Sequence, residues 1–350
     1  MAVKVGINGF GRIGRMVARA MVQRRGEFDI VAINDVGSPP RIHAHLFKYD
    51  TAHRQFNGTV EHDETALVIN GDRVRVLAER DPARLPWGDL GATVVIESTG
   101  VFTKRNDGKK AGYDDHIKAG AKKVILSAPA KDQIDATVVL GVNDETLKSE
   151  HTFVSNGSCT TNCLAPLIKV VADNPDIFGR KVDGMMTTIH AYTNDQRILD
   201  QVHGDDLLRA RTAAMNIIPS TTGAARAISL VVPSDDIRLD GFAFRVPVMD
   251  GSVVDLSLML EKDVEVDQVN DVFRKAASSD RFKGILFYNT EPLVSSDIIG
   301  NPHSSVFDAT RTMTTPKGKG RMLKLVSWYD NEWGFSNRVC DLANRLAALA

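Results

Sequence analysis

Cysteine is scarce in this chain: three in 350 residues, at Cys159, Cys163 and Cys340. A low, odd count argues against a disulfide framework and for a reducing compartment. Metal is not expected either, because no second Cys/His pair has the spacing that would complete a ligand set around Cys159 and Cys163. An excess of one charge sign is also missing. With 43 basic and 44 acidic residues the net charge is −1, so nucleic acid is not expected as a primary partner and an anionic membrane has no global attraction to offer. No apolar run reaches the ~18 residues a spanning helix needs. Met1–Val5 leads into a strand without the basic and apolar regions of a signal peptide. Internal repeats and low-complexity linkers are lacking. What remains is 43% hydrophobic and 25% charged, the composition of a soluble cytoplasmic enzyme long enough for two domains.

One of the few cysteines sits where chemistry is favoured. Thr152-Phe153-Val154 reads as a strand, Ser155, Asn156 and Ser158 as turn and cap residues, and Leu164 to Val171 as a buried helix. Cys159 is therefore expected in the first turn of a helix, where unpaired N–H groups and the dipole favour an anion. A free thiol titrates near ~8.5, and a helix end contributes at most about 2 kcal/mol, or roughly 1.5 pH units. A nucleophilic Cys159 thus calls for a base elsewhere; a buried, inert cysteine needs none. His190 ends the strand Gly184–Ile189 and is the best placed of nine histidines.

The first half carries a nucleotide signature. Val3–Asn8 reads as a buried strand, followed by Gly9-Phe10-Gly11-Arg12-Ile13-Gly14 and a helical pattern from Met16. In this G-x-G-x-x-G arrangement Gly9 permits the turn, Gly11 lets a pyrophosphate approach and Gly14 lets helix pack on strand. Asp35 ends a second strand about 20 residues on, where ribose hydroxyls are expected; its charge repels a 2′-phosphate and favours NAD, while Gly37, Ser38 and Arg41 leave NADP use open. Leu67–Val76 around Asn70-Gly71 reads as a hairpin. Two further buried strands end at Glu97-Ser98-Thr99-Gly100 and at Ser127, in small polar residues that suit a cofactor crevice. Asp114–Ala121 reads as a helix and the charged run 103–112 as a solvated face.

In the second half, Asn174-Pro175 and Gly179 read as a loop, and 193–211 as a long polar one, with Asp205 and Asp206 on its surface. Thr222-Gly223 precede a helix and suit either an ordinary cap or an oxyanion. Arg245 stands in the apolar strand Gly241–Pro247 and needs an anionic partner, either a structural carboxylate or a substrate phosphate. The expected fold class is α/β: a Rossmann-type dinucleotide-binding domain over 1–158 and 331–350, and an α+β catalytic domain with a largely antiparallel sheet over 159–330.

These residues resemble the phosphorylating glyceraldehyde-3-phosphate dehydrogenases of the bacterial and organellar type along nearly the whole chain. The resemblance rests on Gly6–Arg15, on Ser-Cys-Thr-Thr-Asn-Cys-Leu-Ala-Pro at 158–166, on Thr-Ile-His-Ala-Tyr-Thr at 188–193, on Arg-Val-Pro at 245–247 and on Trp-Tyr-Asp-Asn-Glu-Trp-Gly at 328–334. It implies Cys159 as nucleophile, activated by His190. It implies Arg12, Ile13, Asp35, Arg80 and Ser127 on the dinucleotide and Asn331 on the nicotinamide carboxamide. Ser158, Thr160, Thr193, Arg209, Thr222, Gly223 and Arg245 would serve two phosphate sites, for glyceraldehyde 3-phosphate and inorganic phosphate. The stretch from about 185 to 211 is similar to an inter-subunit loop, which implies a homotetramer. Erythrose-4-phosphate dehydrogenase shares the layout and is the alternative; a non-catalytic nucleotide- or RNA-binding role is a more distant one. Phe335 in place of tyrosine and Gln201-Val202 in place of Leu-Pro leave coenzyme preference open.

Overall fold

The computed structural model describes residues 1–204 and 206–350; Asp205, read as loop surface, lies outside the described residues. The chain divides into two compact units, one of 1–138, 144–158 and 336–350, the other of 139–143 and 159–335. The final crossing falls after Phe335 rather than after Asp330, and 139–143 counts with the second unit.

The strands of the first unit are Val3–Asn8 (β1), Phe28–Asn34 (β2), Val60–His62 (β3), Ala66–Ile69 (β4), Asp72–Leu77 (β5), Val94–Glu97 (β6), Lys123–Leu126 (β7), Ala136–Thr137 (β8) and Phe153–Ser155 (β9). Among the described residues they form one sheet in the order β3-β4-β5-β2-β1-β6-β7-β9-β8. From β5 to β8 every ladder is parallel. That explains the unbroken apolar runs. Val94, Val95 and Ile96 have no exposed surface, and each such side chain contributes about 1.5–3 kcal/mol of burial. The hairpin turns at Asn70 (φ 55°) and Gly71 (φ 93°), and β5 continues into a parallel ladder with β2 through Ala32 and Arg75. The hairpin therefore extends the nucleotide sheet. β1 lies between β2 and β6, so connections leave it to both sides, and the crevice for a ligand opens outside the carboxyl ends at that point.

Two expectations are corrected here. The helix read over 114–121 is the single turn Asp115–Lys118, because Gly120 takes φ 97° and ends it. The charged run 103–112 is not all solvated: the Arg105 guanidinium lies 4.5 Å from the Phe153 ring and 2.8 Å from Asp135. Within this unit the carboxy-terminal helix is tied to the first helix by Arg24 to Asp341 at 2.6 Å.

The second unit is built on Val182–Ala191 (β10), Ile218–Thr221 (β11), Ile237–Val246 (β12), Ser252–Glu265 (β13), Leu286–Asn289 (β14), Ser305–Asp308 (β15), Met313–Thr315 (β16) and Lys319–Tyr329 (β17). The sheet runs β11-β12-β10-β13-β17-β15-β14 with β16 beside β17. It is mixed: β10–β12 and β14–β15 are parallel, and the other pairings among the described residues are antiparallel. Val254, Leu256, Leu258 and Leu260 alternate inward along β13. The helix Cys159–Ala172 packs against β15 and β17. The stretch after it, read as loop, holds the one-turn helix Pro175–Phe178, where proline fits the first helical position.

Candidate active site

The crevice of the first unit is about 420 Å³ and lies at the carboxyl ends of β1, β2 and β6. It brings together Gly9, Gly11, Asp35, Arg80 and Thr99. Backbone geometry explains the glycines. Gly9 has φ 93°, and a Cβ there would stand 2.6 Å from the Thr99 nitrogen; a Cβ on Gly14 would run into the Gly9 carbonyl, whereas Gly11 faces open space. The open position is the one a phosphate would approach. Asp35 is held at the rim by the N–H groups of Phe10 and Gly37, both at 2.9 Å. Arg12 pairs with Asp50 and does not line the crevice. That arginine is among the charges that, against the cost of burial, hold the Asp50 carboxyl below the usual carboxylate range. Ile13 is half-buried on the first helix and Ser127 follows β7; neither lines the crevice. Sequence reading missed Asn8, Asn34 and Glu79 as lining residues; their signal was position at or just beyond a strand end.

In the second unit the parallel register of β10 on β12 sets His190 directly beside Arg245. Cys159 is the first residue of its helix. It is half-buried, whereas Cys163 and Cys340 are fully buried and their thiols are pushed up to about 12 by burial. The Cys159 sulfur lies 3.4 Å from His190 Nε2. Tyr329 fixes the ground beneath: its hydroxyl bonds Thr160 Oγ1 at 2.9 Å and Thr188 Oγ1 at 2.8 Å, and its ring meets His190 edge-on at 5.9 Å.

The electrostatics differ from a ready-made thiolate–imidazolium pair. Burial pushes the Cys159 thiol up, with the Arg245 charge opposing it. Burial, then the same charge, pushes His190 down to about 3. Both shifts favour the uncharged forms, so the base that the sequence called for beside the sulfur is a neutral imidazole and not a standing imidazolium. The hydrogen bonds say more. Arg245 Nη1 lies 2.6 Å from His190 Nδ1, and the Ala191 carbonyl lies 2.7 Å from the same nitrogen. A guanidinium can only donate. While Arg245 is there, Nδ1 accepts and the ring proton sits on Nε2, facing the sulfur. Once Arg245 turns away, Nδ1–H can donate to Ala191 and Nε2 is open to take a proton.

Arg245 has no carboxylate partner among the described residues, contrary to the structural option considered for it. Its contacts are an imidazole nitrogen and the Ala191 carbonyl at 3.2 Å, and its Nε is buried without an acceptor. A buried donor on an unbalanced cation suits an anionic ligand. Thr193 and Arg209 converge on Asp195, Arg209 at 2.9 Å. Thr222 Oγ1 accepts from the Ala224 nitrogen at 3.2 Å, and Gly223 precedes the helix Ala224–Val231 with space where a Cβ would be. β11 separates these two from Arg245, which faces Ile218. Ser158 is half-buried beside Cys159. Asn331 is buried, and its side-chain oxygen accepts from Ser252 at 2.7 Å, which turns its amide NH₂ the other way.

Comparison with known proteins decides what these parts belong to. Residues 3–105 match the family model of the glyceraldehyde 3-phosphate dehydrogenase NAD binding domain, and 158–331 match that of its C-terminal domain. The chain belongs to the glyceraldehyde-3-phosphate dehydrogenase family. It is 52% identical over 343 residues to the glyceraldehyde-3-phosphate dehydrogenase of Streptomyces coelicolor, covering 98% of both chains. It is 53% identical over 346 residues to that of Borreliella burgdorferi, covering 98% of this chain and 99% of the other. The plasmid form of Cupriavidus necator is 53% identical over 349 residues, covering 99% of both. In this family's terms the first unit carries the NAD binding domain, whose glycine cradle and Asp35 rim fit a dinucleotide.

Proposed function

We propose that the chain is a phosphorylating glyceraldehyde-3-phosphate dehydrogenase that converts glyceraldehyde 3-phosphate and inorganic phosphate to 1,3-bisphosphoglycerate through an acylated Cys159. The observation that carries this reading is the half-buried Cys159 sulfur 3.4 Å from His190 Nε2, with the uncompensated Arg245 guanidinium on the far side of the ring. Gly9, Gly11, Arg12, Ile13, Asp35, Arg80, Thr99 and Ser127, with Asn331, are the residues proposed to hold NAD. When bound, NAD supplies the acceptor for the hydride that turns a thiohemiacetal into a thioester.

The chain's own residues do the rest. Arg245, with Ser158, Thr160, Thr193, Arg209, Thr222 and Gly223, binds the two phosphate groups. Recruitment of Arg245 by an anion frees His190 Nδ1 to donate to Ala191, and Nε2 then takes the Cys159 proton. The sulfur attacks the aldehyde carbon, a C–S bond forms, and the proton passes to the carbonyl oxygen. His190 later removes that hydroxyl proton. In the last step a phosphate oxygen attacks the thioester carbon, the C–S bond breaks and Cys159 leaves as thiolate. Cysteine suits both halves: it is nucleophilic enough to add and a good enough leaving group to be displaced by phosphate.

The test is a steady-state assay with both dinucleotides, with and without phosphate. Turnover is expected with glyceraldehyde 3-phosphate, dependent on phosphate, and with NAD preferred because the Asp35 carboxylate repels a 2′-phosphate. Equal rates without phosphate would move the reading to erythrose-4-phosphate dehydrogenase. The working form we infer is a homotetramer in the cytoplasm. Ile198, Leu199, Val202 and Leu207 are 73–83% exposed, and Met185 and Met322 stand on the sheet surface; such apolar area is covered when copies associate. A solution mass of one chain at micromolar concentration would contradict this. Among the described residues no helix is long and apolar enough to cross a membrane.

A further inference from the structure

Under the crevice of the first unit lies a hydrogen-bonded network that is almost wholly buried: Asn8, Asn34, Glu97 and His116 are each under 5% exposed. Four donors meet on the Glu97 carboxylate. Asn8 Nδ2 at 2.6 Å and His116 Nε2 at 3.0 Å reach one oxygen; the Thr99 nitrogen at 2.8 Å and the Thr99 hydroxyl reach the other. The ends of the network fix every group between them. At one end Trp87 Nε1, which can only donate, lies 3.0 Å from His116 Nδ1. The ring proton is thereby confined to Nε2 and directed at Glu97. At the other end the Glu79 backbone binds Asn34 twice, N–H to Oδ1 and C=O from Nδ2, both at 2.9 Å. Asn34 therefore cannot flip. Its Nδ2 donates to Asn8 Oδ1 at 2.7 Å, so Asn8 cannot flip either and must direct its NH₂ at Glu97. The Thr99 hydroxyl accepts from the Val101 nitrogen at 3.0 Å and must donate to Glu97.

Each fixed group thus presents a hydrogen to residue 97, and a glutamine there would set an NH₂ against two donors whichever way it turned. Asn8 and Thr99 also line the crevice, whereas Glu97, His116 and Trp87 do not. We propose that Glu97 is a positioning residue for dinucleotide binding: an all-acceptor anchor, enforced by Trp87 through His116 and by Glu79 through Asn34, that orients the Asn8 and Thr99 walls of the crevice. The inference rests on the reading of that crevice as the NAD site.

Its test is a direct titration of the full-length protein with NAD, alongside thermal unfolding. Glu97→Gln is expected to weaken NAD binding about tenfold, the scale of one disfavoured buried donor pair, with the KM for glyceraldehyde 3-phosphate and kcat at saturating NAD little changed. The double variant E97Q/W87F is expected to regain part of the lost affinity, the share due to His116, because Asn8 Nδ2 reaches the same position of residue 97 and still opposes the amide. Without the indole, His116 can move its proton to Nδ1, where a water in the vacated space accepts it, and Nε2 accepts from the new amide. A merely structural role predicts the opposite pattern, with a lower Tm, unchanged NAD affinity in the protein that remains folded, and a second loss when Trp87 is trimmed. Either unchanged affinity in E97Q or no recovery in the double variant overturns the proposal. Should E97Q not accumulate as folded protein, Glu97→Asp takes its place: it keeps the acceptor but is too short to reach His116 and Thr99 together, so wild-type affinity there is equally fatal. Failure of the unmodified protein to bind NAD would instead sink the dehydrogenase reading.

Discussion

Replacing Cys159 by serine is expected to remove dehydrogenase turnover, by more than about 10⁴-fold, while leaving NAD binding and the fold unchanged. The substitution keeps the shape and the helix position and changes one atom. A serine hydroxyl next to a neutral imidazole adds poorly to an aldehyde, and an ester formed from it would be captured slowly by phosphate. NAD affinity should be untouched, since the residues proposed to hold NAD do not include the sulfur. Steady-state assay and NAD titration of C159S on one preparation give both answers. Appreciable turnover in that variant would mean that acyl transfer does not pass through this sulfur. Cys163 offers no substitute: it is fully buried, and its sulfur faces Ser305 and the carbonyl of Ser327.

His190→Asn comes next in size, with an expected loss of about 10²–10⁴-fold in kcat, the usual worth of a positioned general base. Asparagine can accept from Arg245 but cannot carry a proton from sulfur to oxygen. Because burial and Arg245 hold the imidazole down to about 3, the ring is uncharged across the neutral range while Arg245 is beside it. It contributes as a base awaiting a proton, not as a standing cation. Alkylation of Cys159 by iodoacetamide at neutral pH, in the presence of inorganic phosphate to draw Arg245 off the ring, should slow in H190N. An unchanged alkylation rate together with unchanged kcat would remove His190 from the mechanism.

Much of this was legible in the sequence because the signals are local. The glycines at 9, 11 and 14, Asp35 at a strand end and Cys159 at a helix start each declare themselves within a few residues. His190 was found by demand: a thiol at a helix end falls short of full activation, and one strand delivered a base. What stayed hidden is set by pairing between distant segments. The tie between Arg245 and His190 depends on β12 lying parallel to β10 in a register that no neighbouring residue specifies. The role of Tyr329 depends on β17 carrying it beneath Thr160 and Thr188. The convergence of Asn8, Thr99 and His116 on Glu97 spans 108 positions of chain, from 8 to 116. The two one-turn helices were misjudged for a simpler reason: over four residues no periodicity exists to be read.

Arg209 has a consequence of its own. Its guanidinium is already engaged by the Asp195 carboxylate at 2.9 Å and by Asp206 at 3.3 Å, and the Thr193 hydroxyl is spent on Asp195 as well. A phosphate at the site proposed here would meet an incumbent of its own sign and would have to win an exchange rather than fill an opening. On that proposal Asp195 is an internal imitation of the ligand. Occupancy of the proposed site would thereby be weaker and more readily reversed, which suits a station that has to be vacated once in every catalytic cycle.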